Sequence, residues 1–267
     1  MIEKRDVRAL YDLPADVEFC VNCTISNQRP RITFDADGIC SACSYAVFKR
    51  TGIDWDQREQ ELQALCDKHR KTDGGYDVVV PCSGGKDGSF VAHQLKYKYG
   101  MNPLCVTWAP LKPTLLGRKN LDSFLAAGFD HILGTPNPQV TRKLTELSFK
   151  YIGDPFQPFI YGQTNFPMKM AIQHDVSLIM YGENGEVEYG GSTESKNKSL
   201  YDIAYMKRVY LEGGHEKVLD RIRQDDDISE AELSFFKFPS DEEVSEVGLS
   251  FTHMSYYEPW DSYRNYV

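Results

Sequence analysis

The chain has 267 residues, enough for one large domain or for a domain with a small appendage. It has 30 lysines and arginines and 39 aspartates and glutamates, and the resulting formal charge of −9 argues against strong non-specific binding to nucleic-acid phosphates. No apolar run approaches the ~20 residues that span a bilayer, and the polar chain after the first five residues does not match a signal peptide. We therefore expect a cytoplasmic protein with no membrane span and no nucleic-acid partner.

Two cysteine pairs organise the N-terminal part of the chain. Cys20 and Cys23 form one C-x-x-C motif, and Cys40 and Cys43 form a second one after sixteen intervening residues. Each motif presents two thiolates on one side of a tight turn, and two motifs complete the tetrahedral coordination of Zn²⁺. We expect a structural zinc ribbon within residues 1–50, with ITFDADGIC as its hairpin. The alternatives are redox-active cysteines and an iron–sulfur cluster.

Beyond the cysteine pairs, the apolar pattern alternates between helical and strand periodicity. The predicted strands are short and almost continuously apolar, as in a buried parallel sheet, and cover residues 76–82, 102–108, 129–134 and 176–182. The predicted helices cover residues 54–71, 88–99, 115–127, 138–151 and 166–174, with mostly helical segments after residue 200. Strands that alternate with helices predict an α/β, Rossmann-like fold with a parallel sheet and crossover helices. We expect this domain to occupy residues 51–267, including a helical and aromatic C-terminal part.

A glycine-rich loop follows the first predicted strand directly. In an open parallel sheet, ligands bind beyond the carboxyl ends of the strands. Glycines allow backbone N–H groups to converge on an anion, the following helix adds its positive end, and a lysine supplies a mobile charge. The pattern matches neither the Walker A nor the dinucleotide-binding motif, and a turn without a ligand is the alternative to a phosphate site. The predicted phosphate-binding residues are Ser83, Gly84, Gly85, Lys86, Asp87, Gly88 and Ser89.

Four further features are candidates for a role in ligand binding. The loop GENGEVEYGG follows the fourth predicted strand, and its Glu183 and Glu186 are candidates to bind a metal; the alternative is a solvated turn. Asp87 is the first candidate for Mg²⁺, which needs only one or two carboxylates beside phosphates. Trp108 ends the second predicted strand and either borders an adenine base or packs in the core. The aromatic residues of the tail form either a ligand platform or a packed terminal element: Tyr256, Tyr257, Trp260 and Tyr263.

The loop SGGKDGS resembles the SGGxDS loop of the PP-loop ATP pyrophosphatases, with one additional glycine before the last serine. The whole chain resembles the N-acetyl sugar amidotransferase family of lipopolysaccharide and other surface-polysaccharide and flagellar-sugar pathways. The resemblance is carried by CVNCTISNQRPRITFDADGICSAC, the PP-loop, YGENGEVEYGG and the tail SYYEPWDSYRNY. Members of that family usually continue beyond this tail, so we expect a short or truncated member.

The resemblance implies a reaction in which the N-acetyl group of a nucleotide-linked sugar becomes an acetamidino group. It implies ATP as the activating substrate, Mg²⁺, release of AMP and pyrophosphate, and ammonia from a separate glutaminase partner. Lys86, Asp87, Glu183 and Glu186 are the expected catalytic residues. With this reaction, Glu183 and Glu186 are expected to bind metal, position ammonia or hold sugar hydroxyls. The alternatives are a PP-loop enzyme that thiolates tRNA, which the acidic composition disfavours, and a non-enzymatic nucleotide-binding module.

Overall fold

The computed structural model describes residues 6, 8–9, 12–192, 195–211, 214–224, 228–261 and 263–265. Residues 1–5, on which part of the signal-peptide prediction rests, lie outside the described residues. The strands of the sheet are β1 (Val78–Pro81), β2 (Pro103–Trp108), β3 (His131–Gly134), β4 (Leu178–Tyr181) and β5 (Ser250–His253). They form one five-stranded sheet in the order β3-β2-β1-β4-β5, and every pair of neighbours is parallel. The predicted α/β fold class is confirmed.

Helices flank the sheet and connect its strands. In chain order they are α1 (Ser41–Thr51), α2 (Trp55–His69), α3 (Lys86–His93), α4 (Leu115–Ala126), α5 (Pro138–Ile152), α6 (Gln157–Gln173), α7 (Gly185–Glu188), α8 (Ile203–Tyr210), α9 (Gly214–Gln224), α10 (Glu230–Leu233), α11 (Asp241–Val247) and α12 (Met254–Tyr257). A π-helical turn, Gln94–Lys98, extends α3, and a 3₁₀ turn, Ser234–Phe236, follows α10. None of the described helices combines the length and the apolar character that a bilayer span requires.

The sheet separates two hydrophobic cores, because successive side chains of a strand point to opposite faces. On one face, Val79 and Ile179 pack with residues of α5, α6, α8 and α9. On the other face, Val78, Val80 and Met180 pack with α2, α3 and α4. β1 and β2 are central and almost fully buried, which explains their nearly continuous apolar sequence.

Three elements differ from the sequence-based expectation. Strand β5, with the sequence SFTH, was not predicted. Serine and threonine alternate with its phenylalanine, and its pairing partner β4 is distant in the chain. Helix α1 directly follows Cys40 and was also not predicted. Helix α6 begins nine residues before the predicted start and accommodates Pro158 in its first turn and Pro167 in its interior. Each deviation comes from tertiary packing that overrides a local signal.

Candidate functional site

A cavity of about 560 Å³ lies at the carboxyl ends of β1, β2, β4 and β5. Its walls include the glycine-rich loop after β1, the ends of the other three strands and the N-terminal half of α6. This volume falls in the range of small-molecule and cofactor sites, and the position is the one at which parallel sheets bind ligands. The cavity is therefore the candidate site that the loop predicts.

Two glycines of the loop stand where a side chain does not fit. Gly84 has a φ of +79°, and a Cβ atom there would lie 2.6 Å from the Cα atom of Leu121. A Cβ atom on Gly88 would lie 2.7 Å from the Cα atom of Cys82 and 2.8 Å from the carbonyl oxygen of Pro81. The first turn of α3 is thus pressed directly against the end of β1. Gly85 is different, because a Cβ atom there would contact only the Ser83 Oγ atom at 3.6 Å.

The structure brings half of the ten residues predicted for ATP binding and catalysis to the walls of the cavity. Lys86 and Asp87 begin α3, and the Lys86 Nζ atom is 2.5 Å from the Asp87 Oδ1 atom in a partly exposed ion pair. Ser89 lies one turn further, with its Oγ atom 3.8 Å from the Cys82 Sγ atom. The predicted site residues that border the cavity itself are Ser83, Asp87, Gly88, Trp108 and Glu183.

Trp108 is both a core residue and a wall of the cavity. Its ring lies 5.1 Å from Phe235 and 5.9 Å from Phe166, measured between centroids. A Cβ atom on Gly162 of α6 would fall 1.8 Å from the indole, so only glycine permits this approach of helix and ring. The two interpretations of Trp108 made from the sequence are therefore compatible with each other.

The acidic loop after β4 points its carboxylates in different directions. Glu183 borders the cavity, and its Oε2 atom accepts a hydrogen bond of 2.5 Å from the Tyr189 hydroxyl. Glu186 instead accepts two hydrogen bonds from the Arg31 guanidinium, at 3.0 and 2.9 Å, and one of 2.7 Å from the Ser192 N–H. Burial alone would raise the pKa of the Glu186 carboxyl, but these hydrogen bonds outweigh it and lower the pKa. The catalytic role expected for Glu186 stays a prediction, and its side chain lies outside the walls of the large cavity.

Glu186 belongs to an interface between the acidic loop and the cysteine-containing segment. The Arg29 Nε atom donates to the carbonyl oxygen of Gly190 at 3.1 Å, and Lys49 of α1 pairs with Glu188 at 2.6 Å. A second cavity, of about 230 Å³, lies at this interface. These contacts hold the loop that carries Glu183 against the cysteine-containing segment.

The four paired cysteines converge on one point. Their Sγ atoms all lie within 4.8 Å of one another, with 4.0 Å between Cys20 and Cys43 and 3.6 Å between Cys23 and Cys40. A tetrahedral ion with metal–sulfur bonds of about 2.3 Å requires sulfur atoms about 3.8 Å apart, so the geometry fits. The backbone N–H groups of Asn22 and Cys40 donate to the Cys20 Sγ atom at 3.4 and 3.3 Å, which stabilises a thiolate. The cluster can hold one metal ion.

The aromatic tail packs against the core. Tyr257 and Trp260 are buried, and the Trp260 ring meets Phe90 edge-on at 5.8 Å between centroids. The Tyr256 ring lies 3.4 Å from the Arg58 guanidinium carbon, and Tyr263 is exposed. None of these four described tyrosine and tryptophan side chains borders the large cavity.

Tyr181 and His253 are among the cavity residues that were not predicted from the sequence. Tyr181 ends β4 and His253 ends β5, and both border the cavity. The Tyr181 hydroxyl and the His253 Nδ1 atom are buried without a hydrogen-bond partner. Tyr181 is the last residue before the final glycine of the strand predicted over residues 176–182, and that position could have been singled out. His253 carries no such signal, because its strand was not predicted.

No family model matches this chain, and no curated protein matches it. Among solved structures, the chain is similar to the NMN synthetase from Francisella tularensis, with 13% sequence identity and a TM-score of 0.39. The similarity covers 73% of this chain and 94% of that chain. The assignment of the fold rests on the parallel sheet and the loop described above and not on this likeness.

Proposed function

We propose that the chain is an ATP-dependent, AMP-forming sugar amidotransferase of the PP-loop superfamily, related to the N-acetyl sugar amidotransferases. The observation that carries the proposal is the glycine-rich loop, which is packed against the end of β1 and forms one wall of the large cavity. A loop of this kind binds phosphate through backbone N–H groups at the start of a helix. The resemblance of its sequence to the PP-loop supports ATP as the source of that phosphate.

The nucleotide has a defined place in this proposal. Its β- and γ-phosphates lie against Ser83, Gly84 and Gly85 and the first turn of α3, with Lys86 as the mobile cation. Gly88 and Ser89 complete the turn. The adenine base extends toward the end of β2, where Trp108 and Pro110 border the cavity.

The carboxylates of the cavity suit Mg²⁺ bound together with phosphate. Asp87 and Glu183 are the charged residues among the described side chains that border the cavity, and both offer the oxygen ligands that Mg²⁺ prefers. Such an ion retains several waters and needs only one or two protein carboxylates. When bound, Mg²⁺ would neutralise charge on the phosphate oxygens. Asp87 would then share its carboxylate between the ion and Lys86.

The chemistry follows from the poor reactivity of an amide. An acetamido carbonyl resists ammonia because its oxygen is a poor leaving group. The amide oxygen attacks the α-phosphorus of ATP, the bond from that phosphorus to the bridging oxygen breaks, and pyrophosphate leaves. Ammonia then adds to the carbon of the imidate-adenylate, a proton is lost, and AMP leaves with the former amide oxygen. The product is an acetamidino group.

The loop stabilises the charge that develops in the first step. Negative charge grows on the bridging oxygen as pyrophosphate departs. In this proposal, backbone N–H groups at the start of α3 and the Lys86 ammonium stabilise that charge, and donors fixed in advance by the fold need little reorganisation. Lys86 therefore stabilises the transition state of the reaction more than it stabilises the fold.

A separate glutaminase subunit is part of the proposal, and the cysteines support it. Glutamine hydrolysis by a thiol requires a reactive thiolate. Cys66, Cys82 and Cys105 are buried in the core, and burial raises the pKa of each thiol, for Cys66 to about 12. The other four cysteines converge in the cluster. The same three raised pKa values disfavour the sulfur transfer that tRNA thiolation needs.

The cysteine cluster is proposed as a structural Zn²⁺ site in an N-terminal ribbon of residues 1–50, followed by the PP-loop domain of residues 51–267. Closed four-thiolate sites stabilise folds and leave no position open for a substrate. Through the Arg31–Glu186 ion pair, the ribbon holds the loop that carries Glu183. The ribbon is therefore proposed to support the site without taking part in the chemistry.

The test is product analysis with a labelled substrate. The protein is incubated with ATP, Mg²⁺, ammonium and UDP-N-acetylglucosamine or another nucleotide-linked N-acetyl sugar whose acetamide oxygen is ¹⁸O. We expect AMP and pyrophosphate in equal amounts, the label in AMP, and a sugar in which NH replaces oxygen. ADP and orthophosphate as the products of the sugar-dependent reaction, or a label released only into water, would contradict the scheme.

A further inference from the structure

The large cavity has two ends that differ in chemistry. Adjacent strands lie about 4.8 Å apart, so the ends of β2 and β5 are separated by three spacings, or roughly 14 Å. The glycine-rich loop and Trp108 occupy the β1 and β2 end. At the β4 and β5 end, the wall includes Tyr181, Phe251 and His253, together with Met206, and Glu183 follows β4 in the same wall. A nucleotide held by the loop leaves this second end free.

Two unpartnered polar groups stand at this second end. The Tyr181 hydroxyl and the His253 Nδ1 atom lack hydrogen-bond partners, and His253 is only 4% exposed. The two rings are neighbours, with 5.8 Å between their centroids. Buried polar groups are nearly always hydrogen-bonded, because an unpartnered one retains the cost of its desolvation. Two such groups side by side in a cavity wall point to a ligand that supplies their partners.

Both groups are neutral, which restricts the ligand. Burial lowers the pKa of His253 to about 3 and raises the pKa of Tyr181, so neither side chain carries a charge near neutral pH. The Phe251 ring lies 5.9 Å from Tyr181 and 5.7 Å from His253, between centroids, and keeps the surroundings apolar. A carboxylate or phosphate would lose its hydration here without gaining a cation. A neutral group with both a donor and an acceptor loses less hydration free energy, and it can form a hydrogen bond with each of the two side chains.

We propose that Tyr181 and His253 form an acceptor subsite that binds a secondary carboxamide. The inference rests on the proposed function, in which that amide is the acetamido group of the sugar. The Tyr181 hydroxyl donates to one lone pair of the amide oxygen, and a ring nitrogen of His253 accepts the amide N–H. The second lone pair of the oxygen stays free toward the α-phosphorus. Met206, an unbranched and adaptable side chain in the same wall, allows the aromatic layer to adjust as the ligand enters.

The binding test uses N-methylacetamide as the probe, titrated by ligand-observed NMR with Mg²⁺ and α,β-methylene-ATP present. Tyr181→Phe removes only the hydroxyl, and we expect it to weaken N-methylacetamide about three- to tenfold, the effect of one hydrogen bond. Tyr257→Phe is the matched control, because Tyr257 is a buried tyrosine outside the cavity. We expect wild type to prefer N-methylacetamide over methyl acetate, His253→Leu to lose that preference, and His253→Gln to retain it. Equal affinity of wild type and Tyr181→Phe for N-methylacetamide would overturn the subsite.

A turnover test separates this inference from the proposed function. If the reaction is as proposed, Tyr181→Phe should raise the KM for the N-acetyl sugar about three- to tenfold while the KM for ATP stays the same. An unchanged KM for the sugar would overturn the subsite and leave the reaction standing. If no N-acetyl sugar yields AMP but Tyr181→Phe still weakens N-methylacetamide, the subsite stands and the reaction assignment falls.

Discussion

Replacing Gly88 by alanine tests whether the glycine-rich loop is held as tightly as the structure shows. The new Cβ atom would lie 2.7 Å from the Cys82 Cα atom, whereas carbon atoms in contact prefer at least about 3.5 Å, so the backbone must move by about 0.8 Å. Overpacking of this kind costs about 1–3 kcal/mol, and the better helix propensity of alanine recovers up to about 1 kcal/mol. We expect a net loss of about 1–2 kcal/mol and a fall in Tm of roughly 2–8 °C.

The same displacement should weaken nucleotide binding more than it weakens the fold. A shift of about 0.8 Å takes N–H groups out of hydrogen-bond range of phosphate oxygens. Losing two hydrogen bonds to a charged group, at about 1.5 kcal/mol each, lowers ATP affinity by about 100-fold. Calorimetric titration with ATP and Mg²⁺ measures this directly, and thermal unfolding measures the stability.

Gly85→Ala is the matched control within the same loop. Gly85 has a φ of −75° and a ψ of 159°, which alanine adopts readily, and its Cβ atom would meet only the Ser83 Oγ atom at 3.6 Å. We expect the stability of wild type, because no backbone shift is required, and a smaller loss of ATP affinity than in Gly88→Ala, because the backbone N–H groups keep their positions. If Gly88→Ala and Gly85→Ala behaved alike in both measurements, the reasoning from the packing of α3 against β1 would be refuted.

Three further predictions concern the lysine, the cysteine cluster and the buried ion pair. Lys86→Ala should reduce AMP formation by about 100-fold or more, since it removes a cation from the leaving pyrophosphate, while Tm changes by less than about 2 °C because the Lys86–Asp87 pair is partly exposed. Metal analysis should find one zinc per chain, and a double substitution of Cys40 and Cys43 by serine should lower Tm by about 10 °C, since metal binding is coupled to folding. Glu186→Gln should cost about 1–2 kcal/mol at pH 7, less than a fully buried pair because Arg31 is 35% exposed.

The dependence of stability on pH tests whether the effect of Glu186→Gln comes from the loss of the ion pair. The pKa of Glu186 is lowered in the folded protein, so its stabilisation is complete above the ordinary carboxyl value of about 4.5 and is lost as the pH falls below it. The stabilities of wild type and Glu186→Gln should therefore differ at pH 7, and the difference should shrink as the pH falls below about 4.5. A constant difference over that range would contradict the ion-pair account.

The other two predictions have equally direct controls. For Lys86, the comparison is Lys150→Ala, which removes a lysine of an exposed ion pair on α5, away from the cavity. Near-normal AMP formation by Lys86→Ala would remove that residue from the site. For the cluster, the comparison is Cys105→Ala, which removes a buried cysteine outside the metal geometry. Retention of zinc by the double serine variant would contradict the assignment of ligands.

The parts of the fold that follow from local sequence were predicted well. The apolar run before the glycine loop became β1, and the helix predicted over residues 54–71 became α2, which Asp54 caps by accepting from the Gln57 N–H. The cysteine spacing led directly to the convergence of four thiols. In each case the physical signal lies within a few adjacent residues, so one sequence was sufficient.

The parts that depend on distant contacts could not be predicted. Strand β5 exists because β4 offers it a parallel partner, and its short, half-polar sequence carries little strand signal by itself. His253 was therefore not considered, although it borders the cavity. Glu186 was grouped with Glu183 because they share a loop, yet Glu186 pairs with Arg31, 155 residues earlier. No local pattern in a single sequence predicts an ion pair between residues so far apart in the chain.

The central claim is that the loop from Ser83 to Ser89 holds the triphosphate of ATP. A crystal structure of the protein with α,β-methylene-ATP and Mg²⁺ tests it most directly. The account predicts β- and γ-phosphate oxygens within hydrogen-bond distance of the backbone N–H groups at the start of α3, Lys86 beside them, and the α-phosphorus facing Tyr181 and His253. A nucleotide bound elsewhere, with this loop free of phosphate, would contradict it.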